Sequence, residues 1–199
     1  MSREAEPAGW LGGKILIAMP GMGDPRFERA VVYVCAHSAE GAMGLVVNHP
    51  QKDLTVPELL VKLEIVPEDE RIRLPAEVGR LGLRRGGPVD GGRGFVLHSD
   101  DFQVEGATLT VADRVCLTTT LDILRAIARG EGPRRALLAL GYSGWSPGQL
   151  EGEIRDNGWL VGEADPDLIF AADGGAVWPA ALRGLGIEAA ALSSEAGRA

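Results

Sequence analysis

The sequence predicts a single domain that mixes strands with short helices and is richer in sheet than in helix. Three observations carry this expectation. The chain has 199 residues, the upper end of one ordinary domain and enough to bury a substantial core. Its 28 glycines are about twice the usual share, which points to turns, tight strand ends and positive-φ positions, hence to short elements. Its apolar residues fall in short continuous runs, the pattern of strands buried on both faces. No internal repeat and no linker composition interrupts the chain. The domain is expected to span 13–187, between a flexible N-terminal tail (1–12) and a flexible C-terminal tail (188–199).

Ile15 to Met19 is the first such run, ended by Pro20. Val31 to Ala36 and Met43 to Asn48 follow, joined by the glycine-containing Ser38 to Ala42, which reads as an antiparallel hairpin. Thr55-Val56-Pro57-Glu58 has capping-box form, so a helix should run to about Leu63 and bury Leu59, Leu60 and Leu63. Glu64 to Arg80 is charged and aperiodic, and reads as a surface excursion. A strand at Leu81 to Arg85, a glycine-rich turn at Gly86 to Gly94 and a strand at Phe95 to His98 come next. Thr108 to Val111 and Val115 to Leu117 read as strands. Thr119 or Thr120 then opens a helix through Leu121, Leu124 and Ile127 that Gly130 closes. After the strand Ala136 to Leu140, Ser146-Pro147-Gly148-Gln149 offers a Ser cap, Pro at the first helical position and Gln at the third. Leu150 and Ile154 share one face of that helix, which should stop at Asn157-Gly158. Trp159 to Val161 is a strand, and short helices start at Asp165-Pro166 and after Gly175.

Composition excludes several function classes. A hydrophobic share of 45% is that of a soluble globular protein, neither disordered nor fibrous. The net charge of −8 repels phosphate backbones and anionic membranes, which argues against direct nucleic-acid binding. The first ten residues are polar and the run Ile15 to Met19 is too short for export or membrane insertion, so a cytoplasmic location is expected, with no membrane partner. Cys35 and Cys116 lie in apolar, strand-like contexts outside any Cys-x-x-Cys pair and read as buried reduced thiols.

Each candidate for chemistry has a bland counterpart. Gly141-Tyr142-Ser143-Gly144-Trp145 sits between a strand and a helix, the context of a nucleophile elbow, but its closing position is Trp145 instead of glycine. Tyr142 and Trp145 then anchor a turn on the core. Gly21-Met22-Gly23 would need a third glycine where Arg26 stands, so a dinucleotide loop is rejected. His37 and His49 lie at opposite ends of the proposed hairpin, roughly 15 Å apart, too far to share a metal. No His/Cys spacing suggests zinc, and neither a metal nor a cofactor is expected. Arg80, Arg84, Arg85 and Arg93 surround the glycine-rich loop and either cradle an anion or pair with Glu68-Asp69-Glu70 across a solvated hairpin. The second reading is favoured. Asn48-His49-Pro50 ends a strand, where Asn bonds its own backbone or lines a shallow cleft.

Taken jointly, Pro20, Asp24, Phe27, Asn48, Gly86-Gly87-Pro88, Gly141-Tyr142, Gly144-Trp145, Gln149-Leu150 and Trp159 resemble the motifs of the YqgE/AlgH family of bacterial proteins, from about Gly13 to Ile187. The resemblance implies an α+β fold with a mainly antiparallel, partly barrel-like sheet flanked by helices. It supplies no accepted catalytic residues. Some members carry a label as transcriptional regulators of exopolysaccharide synthesis. No helix-turn-helix is recognisable here, so that label reads as genetic and indirect. The expected function is a binding or regulatory module acting through an unknown protein partner or small ligand. Its surface would be built from Asn48, Gly86, Gly87, Pro88, Tyr142, Trp145 and Gln149. The alternative is an enzyme with a site around His98, Asp100 and Asp101 or around Cys35; no catalytic residue is assigned.

Overall fold

The computed structural model describes residues 10–112 and 114–192, so the expected tails fall mostly on residues outside it. Among the described residues, nine strands form one sheet: β1 (Lys14–Ala18), β2 (Val31–Ser38), β3 (Gly41–Val46), β4 (Gly82–Arg85), β5 (Val89–His98), β6 (Thr108–Ala112), β7 (Val115–Thr118), β8 (Ala136–Trp145) and β9 (Trp159–Glu163). The spatial order is β6-β7-β5-β8-β3-β2-β1-β9, with β4 pairing β8 off this path. All pairings are antiparallel except β4 with β8. The sheet curls into a half-barrel flanked by helices in a single domain.

The curl explains the unbroken apolar runs. Ile15, Ile17, Val31, Tyr33 and Cys35 point into one core, closed by the helices α4 (Pro166–Ile169) and α5 (Gly174–Gly184). Leu16, Ala18, Val32 and Val34 point the opposite way, into a second core with Trp145, Leu150 and Trp159 beneath α3 (Gln149–Arg155). Alternate side chains leave a strand on opposite faces, so Ile15 to Ala18 of β1 and Val31 to Cys35 of β2 are apolar at every position. A third core sits under α1 (Val56–Lys62) and α2 (Leu121–Ala128), where Leu60, Ile123 and Ile127 meet Val96 and Leu138. Each such fully buried aliphatic chain contributes about 1.5–3 kcal/mol. No helix of the described residues is long and apolar enough to cross a membrane.

The capping box forms as expected: Thr55 Oγ1 accepts from the Glu58 N–H, and Glu58 Oε2 accepts from the Thr55 N–H at 2.8 Å. Leu63 is not part of the buried face. It caps the C-terminus of α1 and is 38% exposed, while Val56 is buried instead. Leu121 is likewise exposed, with Ile123 taking the core position in α2. The expected excursion at 64–80 holds two 3-10 helices, Glu68–Arg73 and Val78–Arg80, and sends Val66 and Val78 into the third core.

Two other expectations fail for a topological reason. The segment 86–94 is not a hairpin turn: β8 lies between β4 and β5, and β5 begins at Val89, opposite Tyr142. The residues Gly141 to Trp145 do not form the expected turn anchored by Tyr142 and Trp145 either. They are the second half of β8, bent at Gly141 with φ +73°. At the next helix Ser146 is not the cap. Gly148, in the left-handed region at φ +75°, precedes α3, and the Gln149 side chain accepts from the Ser146 N–H.

Candidate functional site

The residues singled out from the sequence divide into three places. Gly86 and Gly87 lie against the bend of β8. A Cβ on Gly86 would sit 2.3 Å from the Gly141 carbonyl oxygen, and one on Gly87 2.2 Å from the Tyr142 carbonyl carbon. Gly86 also stitches the sheet, donating to Leu140 and accepting from Val46, both at 2.8 Å. Pro88 follows on the surface, and Tyr142 packs edge-on against Phe95 at 5.8 Å. Ser143 is fully buried and donates to the Gly86 carbonyl, so no nucleophile stands at this bend.

Trp145 and Gln149 meet elsewhere, around Glu153. One carboxylate oxygen accepts from the indole nitrogens of Trp145 (2.9 Å) and Trp159 (2.8 Å), and the other accepts from Gln149 at 2.9 Å. Trp145 is buried and its polar edge is used internally, so this cluster is a clamp between α3 and the sheet. The sequence pattern did not single out Glu153; its spacing from Gln149, one helical turn on, is the available signal.

Of the alternative catalytic groups, His98 and Cys35 are buried, while Asp100 and Asp101 lie on the surface. His98 is fully buried, with one ring nitrogen against Thr118 Oγ1 and the other against the Ser99 carbonyl, both at 2.9 Å. Burial chiefly holds its pKa below the ordinary imidazole value. Asp101 is occupied by Ser99 Oγ and the Arg134 N–H. Cys35 and Cys116 are free thiols and buried, and burial pushes the Cys35 thiol up to about 12. The arginines do not pair with Glu68-Asp69-Glu70 as expected. Arg84 is buried and donates to the carbonyls of Val47, Ala171 and Ala172, and Arg93 lies over Phe95. Among the described residues no group of three His, Cys, Asp or Glu side chains is arranged to hold a metal.

The third place is an open cleft of about 1080 Å³ at the far end of β1 to β3. The turn Met19–Pro25 forms one wall, Asn48–Pro50 the floor, and the start of α5 with Ala189, Ala190 and Leu192 the other wall. Asn48 builds this end of the sheet. Buried, it accepts from the Val31 N–H and donates to the Arg29 carbonyl, both at 2.8 Å. That clip fixes Arg29 in the left-handed region at φ +52° and sets its guanidinium 5.5 Å from the Trp178 ring centroid. Trp178 in turn donates to the Ala18 carbonyl at 2.9 Å. Gly174 lets α5 approach: a Cβ there would lie 2.4 Å from the Asn48 carbonyl oxygen.

The cleft's titratable groups are few. Asp24 caps the 3-10 helix Pro25–Phe27 and pairs with Arg26 at 2.7 Å, and these bonds hold its carboxyl below the usual range. His49 shares a hydrogen bond with the Glu28 carbonyl at 3.0 Å, in which its Nε2–H donates. Burial first, and Arg85 nearby, lower its pKa, so it is neutral at pH 7. Among the described residues the lining holds no Ser, Thr, Cys, Lys or Tyr, so none of them offers a hydroxyl, thiol or amine nucleophile. Apolar walls with a few fixed polar groups are the composition of a binding pocket. Of the expected surface, only Asn48 reaches it. The strained Arg29, Trp178 and Gly174 lacked a local sequence signal, because each acquires its role from a neighbour far along the chain.

Comparison with known proteins agrees with this fold. A protein of the group UPF0301 from Methylobacterium sp. (strain 4-46) is 59% identical over 195 residues, 98% of this chain and 93% of the relative. A UPF0301 protein from Bradyrhizobium diazoefficiens is 60% identical over 192 residues, 96% and 90% of the two chains. The solution structure of the AlgH protein from Pseudomonas aeruginosa superposes with a TM-score of 0.76 at 38% identity, over all of both chains. A Corynebacterium diphtheriae protein shares the fold at a TM-score of 0.66 and 23% identity, over 92% and 89%. With the AlgH-like family model matching residues 15–190 as well, the chain belongs to the AlgH-like family, whose function is not established.

Proposed function

We propose that the chain is a cytoplasmic regulatory module that works by holding a small ligand, or a short segment of a partner protein, in the cleft between the Met19–Pro25 turn and α5. The observation that carries this reading is the cleft's construction. A buried asparagine spends one end of its amide on the Arg29 carbonyl and the other on the Val31 N–H, clipping the backbone that holds Arg29 in a strained geometry beside an aromatic wall. Strain of this kind is concentrated at functional sites. The walls include Met19 and Met22, whose unbranched side chains adapt to the shape of an occupant. Any effect on transcription would run through the partner or ligand, since a net charge of −8 opposes direct contact with DNA.

The test is capture from a bacterial lysate on immobilised protein, followed by analysis of bound protein and small molecules. Met22→Glu, which places a charge on the cleft wall, is the control once its fold is verified by circular dichroism. A molecule held by the wild type and lost by the folded variant is the expected result. One held equally by both would place binding elsewhere on the surface.

A further inference from the structure

The charges around the cleft narrow what it holds. The chain is acidic overall, at −8, yet among the described residues Arg29 lines the cleft and Arg84 and Arg85 lie just outside its lining, against Ala171, Ala172 and His49. Arg29 faces Trp178, and among the described residues no carboxylate lies within ion-pair distance of it. Arg84 lies behind the start of α5, 5% exposed, and its hydrogen-bond partners are main-chain carbonyls only. Burial lowers its pKa and Asp173 opposes that shift, yet a guanidinium stays charged, so the positive charge persists behind the wall. Arg85 is close enough to His49 to depress its pKa.

The nearby acids are largely committed. Asp24 is held by Arg26, and Asp173 accepts from the Gly175 N–H at 2.9 Å as the cap of α5. Glu28 remains, exposed and adjacent in sequence to Arg29. Beside these charges the walls are apolar, with Met22, Trp178, Pro179 and Leu192. A planar guanidinium beside an indole, on a low-dielectric wall, suits an oxyanion attached to an apolar body.

Resting on the reading of this cleft as the binding site, we infer that its ligand carries an oxyanion, carboxylate or phosphate, on a short apolar body. Arg29 receives the head, the Met22 and Trp178 walls receive the body, and Asn48 acts as a positioning residue through the Arg29 backbone.

The test is a titration of ¹⁵N-labelled protein with four six-carbon probes: hexanoate, hexyl phosphate, hexanol and hexylamine. Amide shifts of Met22, Gly174 and Gly175 report cleft occupancy. The expected result is that hexanoate or hexyl phosphate binds at least about tenfold more tightly than hexanol and hexylamine, the scale of one charge-assisted contact. Which of the two binds better separates a carboxylate ligand from a phosphate one. Arg29→Gln, an exposed change, should erase the preference, whereas Arg29→Lys should keep part of it. Asn48→Ala, if folded, should reduce the preference with the charge still present. A stronger response to hexylamine, or a preference that survives Arg29→Gln, overturns the inference. Equal binding of all four probes overturns the oxyanion assignment and leaves the cleft as a binding site. No response at the cleft amides to any probe overturns both.

Discussion

The Glu153 clamp gives the sharpest stability prediction. Glu153→Ala removes the acceptor of two indole N–H groups whose rings are 6% and 2% exposed. A buried donor left without a partner costs about 1–3 kcal/mol. Two such donors, partly relieved by water entering the space left by the side chain, give about 3 kcal/mol for Glu153→Ala. Glu153→Gln keeps one oxygen for the indoles and presents an amide to Gln149, whose own side chain can turn to accept, so about 1 kcal/mol is expected. The assay is urea unfolding followed by tryptophan fluorescence. With a slope of about 2 kcal/mol/M, the Ala variant should unfold at a midpoint roughly 1.5 M lower. A loss below about 1 kcal/mol for Glu153→Ala would refute the reasoning, since it would mean that the buried indoles find other acceptors.

Three further outcomes are expected. Gly87→Ala puts a Cβ 2.2 Å from the Tyr142 backbone at φ +156°, so it should cost about 3 kcal/mol or more and yield little soluble protein; near-wild-type melting would contradict this. Cys35, held at about 12, should resist a thiol reagent at pH 8 until urea unfolds the chain; rapid labelling of the native protein would show that the core around it opens. His49 and His98 both have folded pKa values lowered below the ordinary 6.5 or so by burial, so the unfolded state binds protons first on acidification. Their contribution to stability is therefore complete above pH 6.5 or so and is lost as pH falls toward their folded values, which urea midpoints measured from pH 7.5 to 5 should reveal as a decline. A flat profile across that range would exclude the buried-neutral state for both.

The strands were legible in the sequence wherever burial on both faces forces an unbroken apolar run, as at Ile15, Val31 and Ala136. The capping box at Thr55 and the closing glycine at Gly130 were legible too, because their chemistry is contained within a few residues. Where reading failed, a distant segment decided the structure. Gly86 to Gly94 has every local mark of a hairpin turn, but β8 separates the strands that the turn would join. Gly141 to Trp145 reads as a glycine-bent turn before a helix, but pairing of Ala42, Met43 and Gly44 with Trp145, Gly144 and Ser143 keeps it extended. The cleft was half legible. Asn48-His49-Pro50 pointed to it, while Arg29 acquires its geometry from a side chain 19 positions away and Trp178 from a carbonyl 160 positions away.

The placement of β8 has a consequence for how the polypeptide is made. It pairs with β3, β4 and β5, all of which precede it in the chain, and it fills the gap between β5 and β3. A ribosome extending the chain at about 5–20 residues per second releases those three strands seconds before their common partner. During that interval their open edges can only wait or associate wrongly. Such long-range closure is slow, so the nascent protein should depend on chaperone protection until Trp145 has left the exit tunnel, and truncations ending before Ala136 should aggregate instead of folding.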